Sequence, residues 1–560
     1  MRVLLWFPVA LGLLLCGCSH VAVTPQACQS LKLHVLYISD KGDLLDPCTG
    51  DAVGNNASEK AAKDGQLKPQ RQSARNVEQS NERAYVQAMI EAYLIERRGH
   101  CRDEVIDCDK MKPTVFIHGG LTTFDDVIKR GKVLPELMKA DGRYPILIGW
   151  PTGPFESYVE HLVRNDRGRQ RGGLARAFYG TFTAIEDLAR SAVRAIPSVV
   201  RQAENLINVA PRFHSREERA ADQRAKELGR PDAGFLAYTD AGPYRGVDAS
   251  GDLLLTAPLV ALTTPVVDGL GTGAWDVMLR RSGLVLTKAS VYEGESIVNG
   301  NATYEPLADR AGDTAATAFF LQWQKGRTAL QPIDLIGRSM GAIVSLNVLG
   351  RHPALNVSNV VFMGAASRVK DVENVLTPWL AKHEHARFYN LTLDPYNEIA
   401  EKNWFGVLPR GSLLMWIDDT FGEVHAFRDR TVGKWWNVVS VAEDLFPINF
   451  PVQIEDRGPG RDPQVRYASI RDRVGLKRFP IRKDGSLGPQ KHGDFDSYCF
   501  WRESYWNKNL AVTPVVETAS RADVALTAPI AKHMLSTCEA PRRRPDLNTR
   551  AEALPEEVEP

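Results

Sequence analysis

Pro332-Ile333-Asp334-Leu335-Ile336-Gly337-Arg338-Ser339-Met340-Gly341-Ala342-Ile343-Val344 joins a short apolar run to G-x-S-x-G and then to residues that favour helix. The apolar run suits a strand of a parallel sheet buried on both faces, and the pattern change marks a tight turn into a helix. Such a turn needs small neighbours, because the helix must pass close to the strand it leaves. Gly337 and Gly341 supply that room, which puts Ser339 at the apex with its hydroxyl expected to project into solvent. Arg338, beside it, is expected to face solvent as well.

A second strand signal lies upstream. Thr114-Val115-Phe116-Ile117 runs into His118-Gly119-Gly120-Leu121, where glycine lets the backbone itself approach a bound group. The N–H groups of Gly120 or Leu121, with that of Met340, are candidate donors to a developing oxyanion. His118 is expected to buttress this loop. Tyr144 to Trp150 is the next buried strand, and Asn359 to Gly364 and Arg387 to Leu393 follow the serine turn. Ser412 to Ile417 reads as a further strand, and Val452 to Ile454 as an edge strand.

The chain has 560 residues, with 69 Lys+Arg against 68 Asp+Glu and a net charge of +1. No overall field draws it to nucleic acid or an acidic substrate, so no nucleic-acid partner is expected. A basic Met1-Arg2, an apolar Val3 to Leu15 and small residues after it form a secretory signal, too short to span a bilayer. Leu15-Cys16-Gly17-Cys18 resembles the lipobox of bacterial lipoproteins. The resemblance implies cleavage over residues 1–17, acylation of Cys18 and, with Ser19 following, attachment to the outer membrane. Past the signal, Cys28, Cys48, Cys101, Cys108, Cys499 and Cys538 are an even set, which in an exported chain favours disulfides over a metal site. Proximity suggests pairing them in that order. No metal-ligand motif is present, and neither metal nor cofactor is expected.

Leu31 to Ile38 and Leu44-Leu45, separated by Asp40-Lys41-Gly42-Asp43, read as an entry hairpin. Asp51 to Ser80 is polar and reads as a linker. From Asn81, Tyr85, Val86, Met89, Ile90, Tyr93 and Leu94 recur at helical spacing. About 220 residues separate His118 from Ser339, more than strand-helix-strand units need, so residues 166–311 are expected to be a largely helical insertion. Its stripe from Ile185 to Leu206 and its apolar run Leu253 to Val267 read first as buried core, with an active-site lid or lipid-facing surface as the other reading. Gly269, Gly271 and Gly273 lack the strand a phosphate loop requires.

With a His-Gly-Gly loop, a G-x-S-x-G turn, strands ending in acidic loops and a late histidine, the chain resembles the α/β-hydrolase family of lipases and esterases. The resemblance implies an α/β fold with a mostly parallel central sheet flanked by helices. The core is then split into residues 81–165 and 312–540, after an entry segment (18–80) and before a disordered tail (541–560). It also implies Ser339 as nucleophile, followed in chain order by an acid and a histidine. His352, His383 and His385 lie too early and are expected at the surface. His492, in a polar glycine-containing loop, is favoured as base over His425, with His533 third. Asp394, directly after a strand, is the favoured acid, with Glu398, Asp418 and Asp419 as rivals. The expected activity is ester hydrolysis through an acyl-enzyme, on a small-molecule or lipid ester, by a membrane-anchored protein. The alternative is a catalytically silent envelope lipoprotein that uses the scaffold for binding.

Overall fold

The computed structural model describes residues 23–53, 68–102, 111–120, 122–153, 313–326, 330–401, 411–422, 424–454, 464–479 and 488–507, with parts of 157–288, chiefly 216–230, 236–239 and 271–288. Cys18 and Leu121, Cys108 and Cys538, His533, the Leu253 to Val267 run and the 541–560 tail lie outside the described residues. So does most of the Ile185 to Leu206 stripe.

The strands are β1 (Val35–Ile38), β2 (Leu44–Leu45), β3 (Lys112–Ile117), β4 (Arg143–Gly149), β5 (Leu236–Thr239), β6 (Ile333–Arg338), β7 (Val357–Met363), β8 (Arg387–Leu393), β9 (Phe450–Ile454), β10 (Gln464–Ala468) and β11 (Val474–Phe479). Among the described residues nine of them form one sheet in the order β2-β1-β4-β3-β6-β7-β8-β11-β5. All neighbours run parallel except β2, which returns antiparallel to β1 through the turn at Gly42. The central helices are α1 (Pro25–His34), α2 (Lys68–Arg102), α3 (Phe124–Ala140), α4 (Arg216–Leu228), α5 (Ala315–Lys325) and α6 (Gly341–Arg351).

Alternation along each strand divides the core into two layers, because successive side chains point to opposite faces. Phe116, Leu147, Ile336, Val361 and Leu391 pack with Leu31 of α1, Val127, Ile128 and Leu134 of α3, and the C-terminal aromatics Phe500, Trp501 and Trp506. Val115, Ile117, Ile146, Leu335, Val360 and Phe362 pack on the other face with Val86, Met89 and Tyr93 of α2, Phe319, Phe320 and Trp323 of α5, and Val344 and Val348 of α6. A slip of one residue in any strand would exchange these sets, and each buried Leu, Ile or Phe carries roughly 1.5–3 kcal/mol.

The strand order reverses between β3 and β6. From β3 the chain crosses one face by α3 to β4, and from β6 it crosses the other by α6 to β7. The carboxyl ends of β3 and β6 are therefore neighbours at a switch point, where open parallel sheets form their ligand crevice. At the opposite end, buried Asp334 bonds Arg143, Ser358 (2.7 Å) and Asn359 (2.7 Å) and pairs with Lys112 at 3.0 Å. Those partners lie on β3, β4 and β7, so the carboxylate ties the central strands together.

Several elements differ from the sequence expectation. Residues 25–34 are helix, because Thr24 caps Ala27 N–H and Pro25 opens the first turn. Helix α2 begins at Lys68 inside the expected linker, since Gln, Arg, Lys and Glu favour helix without adding aliphatic side chains. The segment 413–416 is helical, started by Ser412 accepting from Met415 N–H. Strand β9 pairs with β10 in a separate two-stranded sheet. The insertion is not purely helical, because β5 forms an edge of the main sheet beside β11. The expected Cys28–Cys48 disulfide is present, with Cα atoms 5.4 Å apart, and Cys499 is also disulfide-bonded. Among the described residues no helix is long and apolar enough to cross a membrane.

Candidate active site

Ser339 follows β6 directly and is the one non-glycine residue with positive φ (49°) among the described residues. That conformation costs about 1–3 kcal/mol and persists only where surrounding bonds hold it. Ser339 N–H donates to Met363 O at 2.9 Å, and Ser339 O accepts from Ala366 N–H at 3.0 Å and Ala342 N–H at 3.1 Å. Close packing fixes both glycines of the motif. A Cβ at Gly341 would stand 2.1 Å from Ile117 O, and one at Gly337 would stand 2.7 Å from Ser345 Oγ. The serine does not project into solvent: it is 2% exposed. Gly119 covers it, close enough that a Cβ there would lie 2.8 Å from Ser339 Cβ.

His492 completes the contact expected of it. Its Nε2 lies 3.0 Å from Ser339 Oγ. Burial, helped by nearby Arg338, holds the imidazole down at about 3, so the ring is neutral. Gly364, at φ +51°, leaves space for it, since a Cβ there would come within 3.0 Å of Nδ1 and Cε1. With the proton on Nδ1, Nε2 is free to accept the serine hydroxyl. Nδ1 itself is buried and has no hydrogen-bond partner among the described residues.

Arg338 is not solvent-facing. It is 8% exposed and donates to Asp496 at 2.8 Å, Gly493 O at 3.2 Å and His492 O at 3.4 Å. Arg130 of α3 reaches the same Asp496 at 2.8 Å. Burial pushes the Asp496 carboxyl up, but the two guanidinium groups more than offset it and hold the group below the ordinary carboxylate range. This pairing fastens the 492–497 loop to the strand that carries Ser339.

The His-Gly-Gly loop is held by His118, as expected. Trp150 N–H donates to its Nε2 at 2.9 Å, which places the proton on Nδ1 and directs it to Gly119 O at 2.6 Å. The ring stacks on Trp150 with centroids 4.3 Å apart, and burial lowers it to about 3. Thr122 Oγ1 and Thr152 Oγ1 also donate to Gly119 O. Gly120 lies against Met340, where a Cβ would meet Sδ at 3.0 Å. The N–H groups of Gly120 and Met340 have no acceptor among the described residues.

The carboxylates are distributed differently from expectation. Asp394 does follow β8, but it lies 3.9 Å from Arg478 of β11 and does not bond His492 Nδ1. Glu398 is buried on Ser412 Oγ, and burial pushes it up to about 8. Asp418 accepts from Thr431 N–H and Asn437 Nδ2, both at 2.8 Å, and pairs with Lys434 at 3.3 Å; Asp419 shares its π-helical turn, Ile417–Phe421. Glu401, missed in the sequence, accepts the backbone N–H of His492 at 2.8 Å, and burial raises it to about 7. His425 is exposed and His352 is buried rather than at the surface.

Part of the insertion lies over the loop. In the helical residues 271–284, Met278 Cε would be 3.8 Å from a Cβ on Gly120. Arg281 donates to Pro151 O at 3.0 Å. Gly271 admits the Phe421 ring and Gly273 the His161 ring, which gives two of the clustered glycines a packing role. The result is a neutral imidazole on a serine hydroxyl, both buried, beside N–H groups that have no acceptor among the described residues. Such a set can generate a nucleophile and stabilise an oxyanion. No family model, no characterised protein and no solved structure matches the chain.

Proposed function

We propose that the protein is a serine hydrolase of the α/β-hydrolase type that cleaves an acyl ester through an acyl-enzyme. The observation that carries this reading is the 3.0 Å approach of His492 Nε2 to Ser339 Oγ at a strained turn. Ser339 Oγ attacks the ester carbonyl carbon while its proton passes to His492 Nε2. The N–H groups of Gly120 and Met340 receive the developing oxyanion, with Leu121 as the further expected donor. His492 returns the proton to the departing alkoxide. A water, deprotonated by the same nitrogen, then attacks the acyl-enzyme and releases the acid. The reaction calls on no metal or cofactor.

A lipid or lipid-like acyl ester is the favoured substrate. The signal and the cysteine at position 18 support a lipid-anchored protein of the outer membrane, and Met278 brings an apolar side chain to the edge of the crevice. The second reading, a silent scaffold used for binding, is favoured by the lack of an acceptor at His492 Nδ1 among the described residues. Turnover of nitrophenyl esters of increasing acyl length separates the two. The enzyme reading expects a burst of nitrophenol followed by slower release, lost in Ser339→Ala. Equal rates in wild type and Ser339→Ala at every chain length would favour the silent scaffold.

A further inference from the structure

We propose that Glu401 is the carboxylate that orients His492 and takes the hydrogen bond of its Nδ1–H during the reaction, an inference that rests on the hydrolase reading above. When His492 accepts the Ser339 proton it becomes an imidazolium with a second N–H at Nδ1. In this interior that N–H has no acceptor among the described residues. A buried cation with an unpaired donor is costly, so a base in this position needs a carboxylate partner.

Among the described residues, five other carboxylates have partners of their own. Asp394 lies by Arg478, Asp418 holds Thr431, Asn437 and Lys434, and Asp496 holds Arg130 and Arg338. Asp494 accepts from Lys491 N–H at 2.9 Å and Gln490 N–H at 3.2 Å, and Glu398 is bonded to Ser412. Glu401 is the carboxylate seated on the base residue itself, with Oε2 2.8 Å from the His492 backbone nitrogen. Only Cα, Cβ and Cγ separate that nitrogen from Nδ1. The proposal requires a side-chain rotation of Glu401 that carries one oxygen from the first group to the second, or lets its two oxygens serve both.

The charged and titratable groups around Glu401 are Glu398 on its own segment, Asp494 and Lys491 beside His492, and Arg338 from β6. Burial raises Glu401 to about 7, while His492 stays neutral down to about 3. A rise in reactivity through neutral pH therefore follows ionisation of the carboxyl, with the base available throughout.

The test is the rate at which a fluorophosphonate labels Ser339, measured from pH 5 to 9 in wild type, Glu401→Gln, Glu401→Asp, Asp394→Asn and Ser339→Ala. Gln keeps an acceptor for the His492 backbone N–H but loses the charge. The expected result is a wild-type rate that rises through about pH 7. In Glu401→Gln the rate falls on the order of 10²- to 10⁴-fold and loses that rise, while Glu401→Asp keeps the rise. A Glu401→Gln protein that keeps the wild-type rate, or is slow but still rises through neutrality, overturns the assignment. So does loss of labelling in Asp394→Asn with Glu401→Gln intact. If wild type itself does not label, the hydrolase reading fails and this inference fails with it, an outcome distinct from the others.

Discussion

At the residue scale, the turn that carries Ser339 is defined as much by Arg338 as by the serine it precedes. Its guanidinium holds the loop that carries His492 through two carbonyls and Asp496. Lysine has no planar fork to repeat that pattern. Arg338→Met should destabilise the fold by about 3 kcal/mol, softened because Arg130 still pairs with Asp496. It should also slow labelling of Ser339 on the order of tenfold or more, because the imidazole loses its anchor. Denaturant titration and labelling kinetics read these separately, and an unchanged labelling rate would remove Arg338 from the positioning of the base. The juxtapositions of Ser339 with His492 and of Gly120 with Met340 were legible because their signals are local: a motif, or a histidine before glycine in a polar loop. Asp394 was read in the correct place, at the end of β8, but Arg478 from a distant strand stands beside it. Arg338 and Glu401 gave no local signal, since each acquires its role from a partner brought close only by folding.

At the element scale, strands with uninterrupted apolar runs were readable almost to the residue, and β8 spans Arg387–Leu393 as expected. Failures came where composition conceals burial. Strand β11 carries Lys477 and Arg478, yet Lys477 is only 6% exposed, with its Nζ on Tyr505 O at 2.6 Å and over the Phe479 ring. An amphipathic stem with a satisfied amine fits an interior that a sequence pattern marks as polar. Short apolar runs such as Ser412 to Ile417 have no decisive period, so the capping serine decided for helix. The contribution of β5 to the sheet was hidden because the insertion was read as one helical unit.

At the scale of the whole molecule, buried titratable groups give the fold a defined pH response. Burial holds His34, His118 and His492 at about 4, 3 and 3, against an ordinary value of 6.5. It raises Glu398 and Glu401 to about 8 and about 7, from 4.5. Below 6.5 the unfolded chain binds protons on the histidines that the folded chain refuses, so their contribution is lost as pH falls toward their folded values. The glutamates work oppositely: the folded chain keeps their protons, and their contribution is lost as pH rises through about 7 and 8. Each proton of difference tilts stability by about 1.4 kcal/mol per pH unit. From 4.5 to 6.5 these histidines, joined by His352, which burial also lowers, outnumber the two glutamates and stability climbs; below 4.5 the unfolded glutamates protonate too, and the histidines act unopposed. Urea midpoints measured across pH should peak near 6.5 and fall most steeply below about 4.5, where the histidines act unopposed. A midpoint that keeps rising to pH 8 would contradict this burial pattern.

The central claim is that Ser339, activated by His492, is the nucleophile of an acyl-transfer site. The most direct measurement is to treat the intact protein with a fluorophosphonate and locate the adduct by peptide mass spectrometry. The account predicts a single phosphonyl group on Ser339, in the peptide that contains Gly337-Arg338-Ser339-Met340-Gly341, and none after Ser339→Ala or His492→Ala. An unlabelled Ser339 in folded wild-type protein, or an adduct that forms equally well without His492, would contradict it.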